Sequence, residues 1–330
     1  MKNPIVSLAG NRPKARYGPR YVTRVLRYFA RALTIACLLS VANTASATDP
    51  DKVEWSRDWP RIRVLEGLNI VALTFGSYAV SEHWKPVKVA NFRGGWLFDE
   101  AVRDGLRGRT SDVQNTFLDV GDYLYKGAVL APYIIDSYIV ALGIHQSADV
   151  AIEMTLINLQ ALGTTGVVTI AVERASGRAR PYTDQCQPDG TTRDSAGRTL
   201  ANGCYGDQDN QSFYSGHAAA VATMAGLTCV HHQHLPLYGG GFADLAPCLV
   251  MMTAATATGV SRIVGDRHWS TDVLMGWGVG ALSGYVLPSL LHYGFGGGHP
   301  LGELKTVGAR VIPLPQVYTG GAGLGLTGVF

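Results

Sequence analysis

Residues 261–272 read SRIVGDRHWSTD and join two helix-length apolar segments. If a helix opens at His268, Asp272 lies one turn further on the same face. A carboxylate placed there can hold one imidazole nitrogen and leave the other free to react. Arg262 adds a fork of donors that suits a phosphate group. Because a surface turn before an ordinary helix would read similarly, the rest of the chain has to decide.

Helix-length apolar segments make up most of the chain around this stretch. They are rich in Ala and Leu and show few strand-like alternations. They cover residues 113–124, 126–144, 148–174, 215–231, 244–262 and 269–292. The sequence therefore predicts an all-α helical bundle. We expect a helical lead-in over 48–112, the core over 113–293 and an extended Gly-rich tail over 294–330.

The first 47 residues read as a secretory signal peptide. Eight Lys/Arg and no Asp/Glu precede position 48, an apolar run covers 32–39, and Ala45-Ser46-Ala47 fits a cleavage site. An N-terminal membrane anchor is the alternative. Without this leader 20 basic residues face 25 acidic ones, so the overall +3 charge does not indicate a nucleic-acid partner.

Two stretches of 19 residues, Met154–Val172 and Val273–Leu291, carry no charge and are long enough to span a membrane. The first contains Asn158 and Gln160, the second contains four glycines, and the mean hydropathy of the chain is only +0.10. We therefore expect a soluble or peripherally attached periplasmic protein, with an integral membrane protein as the second interpretation.

Four cysteines follow the leader. Cys186 and Cys204 flank a polar loop and form a candidate disulfide. Cys229 and Cys248 lie in apolar segments, where they can pair or stay as buried thiols.

Two further segments carry residues suited to an anion. Arg174, Arg178 and Arg180 lie at the end of an apolar segment, and Pro181 stops the helix there. A solvated helix end is the plainer interpretation of this cluster.

The second segment opens the helix predicted over 215–231. Ser215 is a natural N-cap, so the N–H groups of Ser215, Gly216 and His217 can face an anion. Beside that anion His217 can exchange a proton. A capped helix with an incidental histidine is the plainer interpretation.

Taken together and in this order, the three segments resemble the type 2 phosphatidic acid phosphatase superfamily, which includes class A acid phosphatases and vanadium haloperoxidases. The family pattern is Lys-x6-Arg-Pro, Pro-Ser-Gly-His and Ser-Arg-x5-His-x3-Asp. The third motif is complete here from Ser261 to Asp272. In the second Tyr214 replaces proline, and in the first Glu173 replaces lysine.

The resemblance implies a phosphatase that needs no metal or other cofactor. His268 would attack phosphorus, Asp272 would orient His268, and His217 would protonate the leaving oxygen and then activate water. The phosphoryl oxygens would be bound by Arg180, Ser215, Gly216 and Arg262. The substrate would be a phosphorylated small molecule or a lipid head group, and the oligomeric state stays open.

Glu173 is the main departure, because a carboxylate repels phosphate. It can turn away while Arg174 or Arg178 supplies the missing charge, weaken phosphate binding, or pair with an arginine. We expect an active enzyme in which Arg174 or Arg178 compensates.

Several neighbouring residues have two interpretations each. Asp266 and Arg267 can contact substrate or pair with each other, and Trp269 can wall the pocket or pack. The histidines at 231, 232 and 234 resemble a metal cluster, but we expect them to be solvated.

Two other functions fit the same motifs. A vanadate-dependent haloperoxidase would use the same pocket, although Glu173 argues against a permanently bound anion. A non-catalytic anion-binding or membrane-associated structural protein is the other, and the pair of histidines with Asp272 argues against it.

Overall fold

The computed structural model describes residues 53–294 and the backbone of 310–318 and 321–329, so the predicted signal peptide lies outside the described residues. Its α-helices are α1 (Val64–His83), α2 (Asp99–Leu106), α3 (Ser111–Ala131), α4 (Ala148–Ser176), α5 (Gly216–His234), α6 (Phe242–Val264) and α7 (Ser270–Ala281). π-helical turns extend α3 through Pro132–Ile144 and α7 through Leu282–Val286 and Ser289–Tyr293. The predicted all-α fold is confirmed.

Two short hairpins accompany the helices. In the loop after α4, a 3-10 turn (Pro181–Gln185) precedes the antiparallel strands β1 (Thr191–Arg193) and β2 (Thr199–Gly203). In the C-terminal tail, β3 (Arg310–Tyr318) pairs antiparallel with β4 (Gly321–Val329). The described part of the predicted extended tail thus consists of two extended segments that pair as strands.

Helix α5 is the centre of the bundle. Its small and apolar side chains are buried almost all round, including Ala218, Val221, Met224 and Leu227, which are fully buried. A helix that is apolar on every face belongs in a core rather than at its edge. The neighbouring helices α4, α6 and α7 pack against it.

Helix α7 lies unusually close to α5. A Cβ atom at Gly276 would lie 2.7 Å from the carbonyl oxygen of Ser215, and one at Gly280 would lie 2.5 Å from that of Ala219. Only glycine permits such an approach. The contact brings the start of α7, which follows His268, against the start of α5, which carries His217.

Within residues 53–294, five helical segments are long and apolar enough to cross a membrane. They are Val64–His83, Ser111–Ile144, Ala148–Ser176, Phe242–Val264 and Ser270–Tyr293. Large apolar side chains on their outer faces are exposed, among them Phe75 at 69%, Ile139 at 52% and Leu274 at 48%. Exposed apolar surface of this extent is typical of a protein that lipid or a partner covers. These segments favour the integral-membrane interpretation over the soluble protein that we expected.

The polar residues that argued against a membrane lie inside the bundle. Asn158 is fully buried, and its side-chain oxygen bonds His231 at 2.9 Å. Gln160 is also buried, and Glu66 turns back to accept the backbone N–H of Arg63 at 2.9 Å. Because their partners are internal, these groups leave the outer helix faces apolar.

Both pairs of cysteines form disulfides. Cys186 and Cys204 are joined across the β1–β2 loop, and Cys229 of α5 is joined to Cys248 of α6. The first bond closes the polar loop that leads from α4 to α5. The second selects pairing over the buried-thiol alternative.

We expect the Cys186→Ser/Cys204→Ser variant to lose about 3 kcal/mol of unfolding free energy, since a crosslink across a loop of this length restricts the unfolded chain by that amount. Thermal unfolding of the purified protein measures the loss. The Cys229→Ser/Cys248→Ser variant separates it from the effect of the second bond. An unchanged transition in the first variant would contradict the prediction.

Candidate active site

A cavity of about 340 Å³ lies where α6 ends and where α5 and α7 begin. The residues that line it are Leu118, Asp122, Glu173, Arg180, Gln208, Gln211, Gly216, His217, Arg262, Arg267 and His268. All three motifs therefore contribute to one cavity, although almost ninety residues separate Arg180 from His268. Of the predicted site residues, Arg180, Gly216, His217, Arg262 and His268 line it.

His268 presents one ring nitrogen to the cavity. Its Nδ1 lies 2.8 Å from the carbonyl oxygen of Ser212. A carbonyl can only accept, so Nδ1 carries the proton and Nε2 keeps its lone pair. Nε2 lies 3.4 Å from Nη1 of Arg180. Burial and the neighbouring guanidinium of Arg180 lower the pKa of His268 well below its ordinary value, so the imidazole is neutral.

Asp272 acts on His268 largely through Ser212. The carboxylate Oδ2 accepts the Ser212 hydroxyl at 2.6 Å and the backbone N–H of Trp269 at 2.9 Å. Its distance to Nδ1 of His268 is 3.8 Å, too long for a hydrogen bond. Helix α7 begins at Ser270 rather than at His268, and this explains the difference from the expected one-turn spacing. Ser212, which links the two groups, is a residue that sequence reasoning missed.

Arg178 does not line the cavity. It is fully buried, and its Nη1 donates to Asp272 at 2.5 Å while its Nη2 donates to Asp99 at 2.8 Å. Its guanidinium lies 3.9 Å from the ring of Trp96. The prediction that Arg178 binds phosphate is corrected, because both of its outer nitrogens are already paired with carboxylates.

Asp99 holds two groups in place, the guanidinium of Arg178 and the start of α7. It accepts the hydroxyl of Ser270 at 2.6 Å and the backbone N–H of Thr271 at 2.7 Å. Burial alone would raise the pKa of Asp99, but the hydrogen bonds from Ser270 and Thr271 lower it, so the carboxylate stays ionised. Nothing in the local pattern of α2 marked this residue.

Arg180 and Arg262 approach the cavity from two sides. Arg180 follows Gly177, whose left-handed conformation (φ 56°) ends α4 before Pro181 is reached. Its Nε donates to the carbonyl of Gln208 at 2.8 Å. Arg262, in the last turn of α6, donates through Nη2 to Asp122 at 2.6 Å. These bonds hold one side of each guanidinium, and both arginines line the cavity.

His217 and Asp122 form the opposite wall. Nε2 of His217 lies 3.4 Å from Oδ1 of Asp122, and its ring packs 4.5 Å from that of Tyr125. Asp122, on α3, thus contacts both His217 and Arg262. Sequence reasoning missed it, because no motif includes α3. Ser215 is the N-cap, and its side chain accepts the N–H of Ala218 at 3.4 Å. Ser215 itself does not line the cavity, whereas Gly216 and His217, the first two residues of α5, do.

Glu173 faces the cavity instead of turning away. A Cβ atom at Gly216 would lie 3.8 Å from its Oε1, so the carboxylate lies beside the start of α5, where the helix dipole favours a negative charge. Among the described residues no Lys, Arg or His nitrogen lies within 4.0 Å of it. Arg174, its neighbour on α4, does not line the cavity, so the structure does not support the expected compensation by Arg174.

The remaining candidates are accounted for by packing. Trp269 is 1% exposed and donates to the carbonyl of Ala179 at 3.0 Å, so it packs rather than walls the cavity. Asp266 pairs with Arg103 at 2.7 Å rather than with Arg267.

The three histidines at the end of α5 have separate partners. His231 bonds Asn158 and Tyr293, His232 bonds Asp244, and Nδ1 of His234 lies 2.9 Å from its own helix at Val230. Two of them are buried, which corrects the expectation that they are solvated.

We expect diethyl pyrocarbonate to modify His268 almost as fast at pH 5.5 as at pH 7, as read by peptide mass spectrometry. A lowered pKa leaves the imidazole unprotonated until the pH falls through the lowered value. A histidine of ordinary pKa would be only about 10% neutral at pH 5.5. If His268 loses reactivity between pH 7 and pH 5.5 as an ordinary histidine does, the prediction is contradicted. Added orthovanadate should protect His268 from modification.

Similarity to a known family covers the three motifs. The sequence model of the PAP2 superfamily matches residues 155–295. The chain is 38% identical to the lipid A 1-phosphatase of Porphyromonas gingivalis over 74 residues, which are 22% of this chain and 15% of that protein. The chain thus spans a small part of that relative.

A solved structure, a transmembrane PAP2-type phosphatidylglycerolphosphate phosphatase from Bacillus subtilis, is 16% identical. The match covers 68% of this chain and 94% of that one, with a TM-score of 0.41. The matched range 155–295 contains all three motifs, from Glu173 to Asp272. Over residues 155–295, the part that carries these motifs, the chain is similar to the PAP2 superfamily.

Proposed function

We propose that the protein is a metal-independent phosphatase that forms a phosphohistidine on His268. The observation that carries the proposal is the convergence of a neutral imidazole, a second histidine and two held guanidiniums on one cavity. These groups match what phosphoryl transfer needs, namely an in-line nucleophile, a proton donor and positive charge around the transferring group.

The first step is attack of His268 Nε2 on phosphorus. As the N–P bond forms, the ester P–O bond breaks, and the leaving oxygen takes a proton from His217. Arg180, Arg262 and the N–H of Gly216 stabilise the charge on the transferring oxygens. The backbone carbonyl of Ser212 accepts a hydrogen bond from Nδ1 of His268. The Ser212 hydroxyl donates to Asp272, which Arg178 holds, so the imidazole keeps its direction.

The second step regenerates unphosphorylated His268. His217 takes a proton from water, the water oxygen attacks phosphorus, and the N–P bond breaks to release phosphate. Burial and the nearby Arg262 lower the pKa of His217 to about 3, while Asp122, at 3.4 Å from its Nε2, favours the protonated form that the first step needs. The negative charge of a bound phosphoryl group acts in the same direction as Asp122. The arginines and the helix terminus supply the positive charge that a metal provides in other phosphatases.

The substrate class that we propose is a lipid-linked phosphomonoester or diphosphate. The cavity lies at the end of helices whose outer faces are apolar, so a head group reaches it while the lipid chain stays beside the bundle. The lipid A 1-phosphatase among the relatives supports this class. The Cys186–Cys204 disulfide lies in the loop that supplies Gln208 and Gln211 to the cavity, which supports a site facing an oxidising compartment such as the periplasm.

A phosphate-release screen on the detergent-purified full chain tests the proposal. It compares a soluble phosphomonoester, phosphatidate, an isoprenoid diphosphate and a lipid-linked glycosyl phosphate, each with and without EDTA. We expect the lipid substrates to be hydrolysed fastest, EDTA to have no effect, and His268→Ala to be inactive. Halide oxidation with added vanadate and no phosphate release would instead indicate a haloperoxidase. Release that depends on a metal, or that survives in His268→Ala, would contradict the mechanism.

A further inference from the structure

Arg267 lines the cavity, and its backbone is fixed between the two arginines already described. Its N–H donates to the carbonyl of Arg262 at 2.9 Å, and its own carbonyl accepts Nη1 of Arg180 at 3.3 Å. It directly precedes the nucleophile His268. The backbone of residue 267 is therefore held at the cavity wall.

The turn before Arg267 is unusual and firmly held. Asp266 has a left-handed backbone (φ 59°), which a residue other than glycine seldom adopts. Its carboxylate accepts two hydrogen bonds from Arg103, from Nε at 2.7 Å and from Nη2 at 2.8 Å. Arg103 also donates to the carbonyl of Pro181. The buried pair keeps the turn that places residues 267 and 268 side by side.

The guanidinium of Arg267 has no acidic partner among residues 53–294, where no carboxylate oxygen lies within 4.0 Å of it. It lies 5.6 Å from the ring of Tyr182, which supports its flat face and leaves its edge free. Arg103, Arg178 and Arg262 are each paired with a carboxylate. Beside a cavity, a cation without a counter-ion is suited to an anionic ligand.

The balance of charge in the cavity also supports a binding role for Arg267. Glu173 and Asp122 bring two carboxylates, which offset much of the positive charge of Arg180 and Arg262. A transferring phosphoryl group spreads its charge over three equatorial oxygens. Arg267 supplies a third guanidinium, and with it the cavity has an excess of positive charge despite Glu173.

We propose that Arg267 is a third phosphoryl-binding arginine, which takes over the charge that position 173 lacks. The inference rests on the proposed phosphatase function and adds to it a binding residue that neither Arg174 nor Arg178 can replace. Arg267 then contacts the phosphoryl group from the side of the nucleophile.

Phosphate release by Arg267→Gln tests the proposal, with Arg198→Gln as the matched control. Arg198 is an exposed arginine of the loop between β1 and β2, paired only with Asp194 on the surface. We expect Arg267→Gln to lower kcat/KM by about 10- to 100-fold, the scale of one lost hydrogen bond to a charged group. The control should keep the activity of the parent protein.

The double variant Glu173→Lys/Arg267→Gln supplies the positive result. A lysine at 173 returns a cation to the cavity, so kcat/KM should recover at least about tenfold over Arg267→Gln alone. Circular dichroism confirms that each variant is folded. Unchanged kcat/KM in the folded single variant, or no recovery in the folded double variant, would overturn the role of Arg267.

Binding of orthovanadate separates this inference from the proposed function. Arg267→Gln should weaken it by a similar factor, as measured by calorimetric titration of the full chain. If the parent protein binds vanadate through Arg267 but releases no phosphate from any substrate, the phosphatase proposal fails and the binding role stands. If it releases phosphate and Arg267→Gln binds vanadate as the parent does, the binding role fails alone.

Discussion

Phosphate release by His268→Ala should fall by at least about 10⁴-fold, the scale on which removal of an enzyme nucleophile cuts turnover. The expected loss is large because no other residue that lines the cavity is placed to replace Nε2 of His268 as the proposed nucleophile. The nitrogen is unprotonated, buried at the cavity wall and 3.4 Å from the arginine that would neutralise the attacked phosphoryl group. His217, on the opposite wall, is placed for proton transfer.

Trapping of the intermediate makes the same prediction more specific. After a brief reaction with a ³²P-labelled substrate and quenching in base, label should be found on the peptide that contains His268. The label should be lost in acid, as expected of a phosphoramidate, and should be absent from His268→Ala. His234→Ala is the matched control, since this histidine lies at the far end of α5 and bonds its own helix. Stable label on any other residue would contradict the phosphohistidine mechanism.

The residues that sequence patterns found are those at helix ends. His217 follows an N-cap, Arg180 follows a helix stop and His268 precedes a helix start, so each carries a local mark. The ends of helices in a bundle meet at its faces, which is why three such marks converge on one cavity. Local patterns predicted the fold class, and together with the resemblance of the three segments to one family they predicted most of the candidate site.

The residues that were missed act through distant partners. Asp122 is an ordinary polar residue of α3 until α3 packs against α6 and places it beside Arg262, 140 positions later. Asp99 is equally unmarked, and it decides that Arg178 faces inward. The two arginines 178 and 180 look alike in the sequence, because the carboxylate that distinguishes them lies 79 residues earlier.

The sequence favoured a soluble or peripheral protein over an integral membrane protein for a related reason. The mean hydropathy of +0.10 averages polar loops with apolar helices, and it does not report which face of a helix a polar side chain occupies. Thr165 and Thr223 bond each other inside the bundle at 2.8 Å, and Asn158 bonds His231. Once the helices pack, these side chains find hydrogen-bond partners inside the bundle and the outer surface remains apolar.

The second large effect is expected at Arg178. We expect Arg178→Met to lower the free energy of unfolding by about 3–5 kcal/mol, because the substitution leaves Asp99 and Asp272 buried with uncompensated negative charges. Both carboxylates are fully buried, and both bonds to Arg178 are short. Thermal or denaturant unfolding in detergent measures the change. Activity should fall as well, since Asp272 loses the partner that fixes its position beside Ser212.

Arg193→Met is the matched control for this loss. Arg193 also pairs with an aspartate, Asp189 at 2.9 Å, but both side chains are about half exposed, so water screens the pair and its removal should destabilise the protein far less than the removal of Arg178. The double variant Asp99→Asn/Arg178→Met should regain part of the stability, because it removes one of the two unpaired buried charges. If Arg178→Met unfolds no more easily than Arg193→Met, the Asp99–Arg178–Asp272 chain does not stabilise the site, and the orientation of His268 has to depend on Ser212 alone.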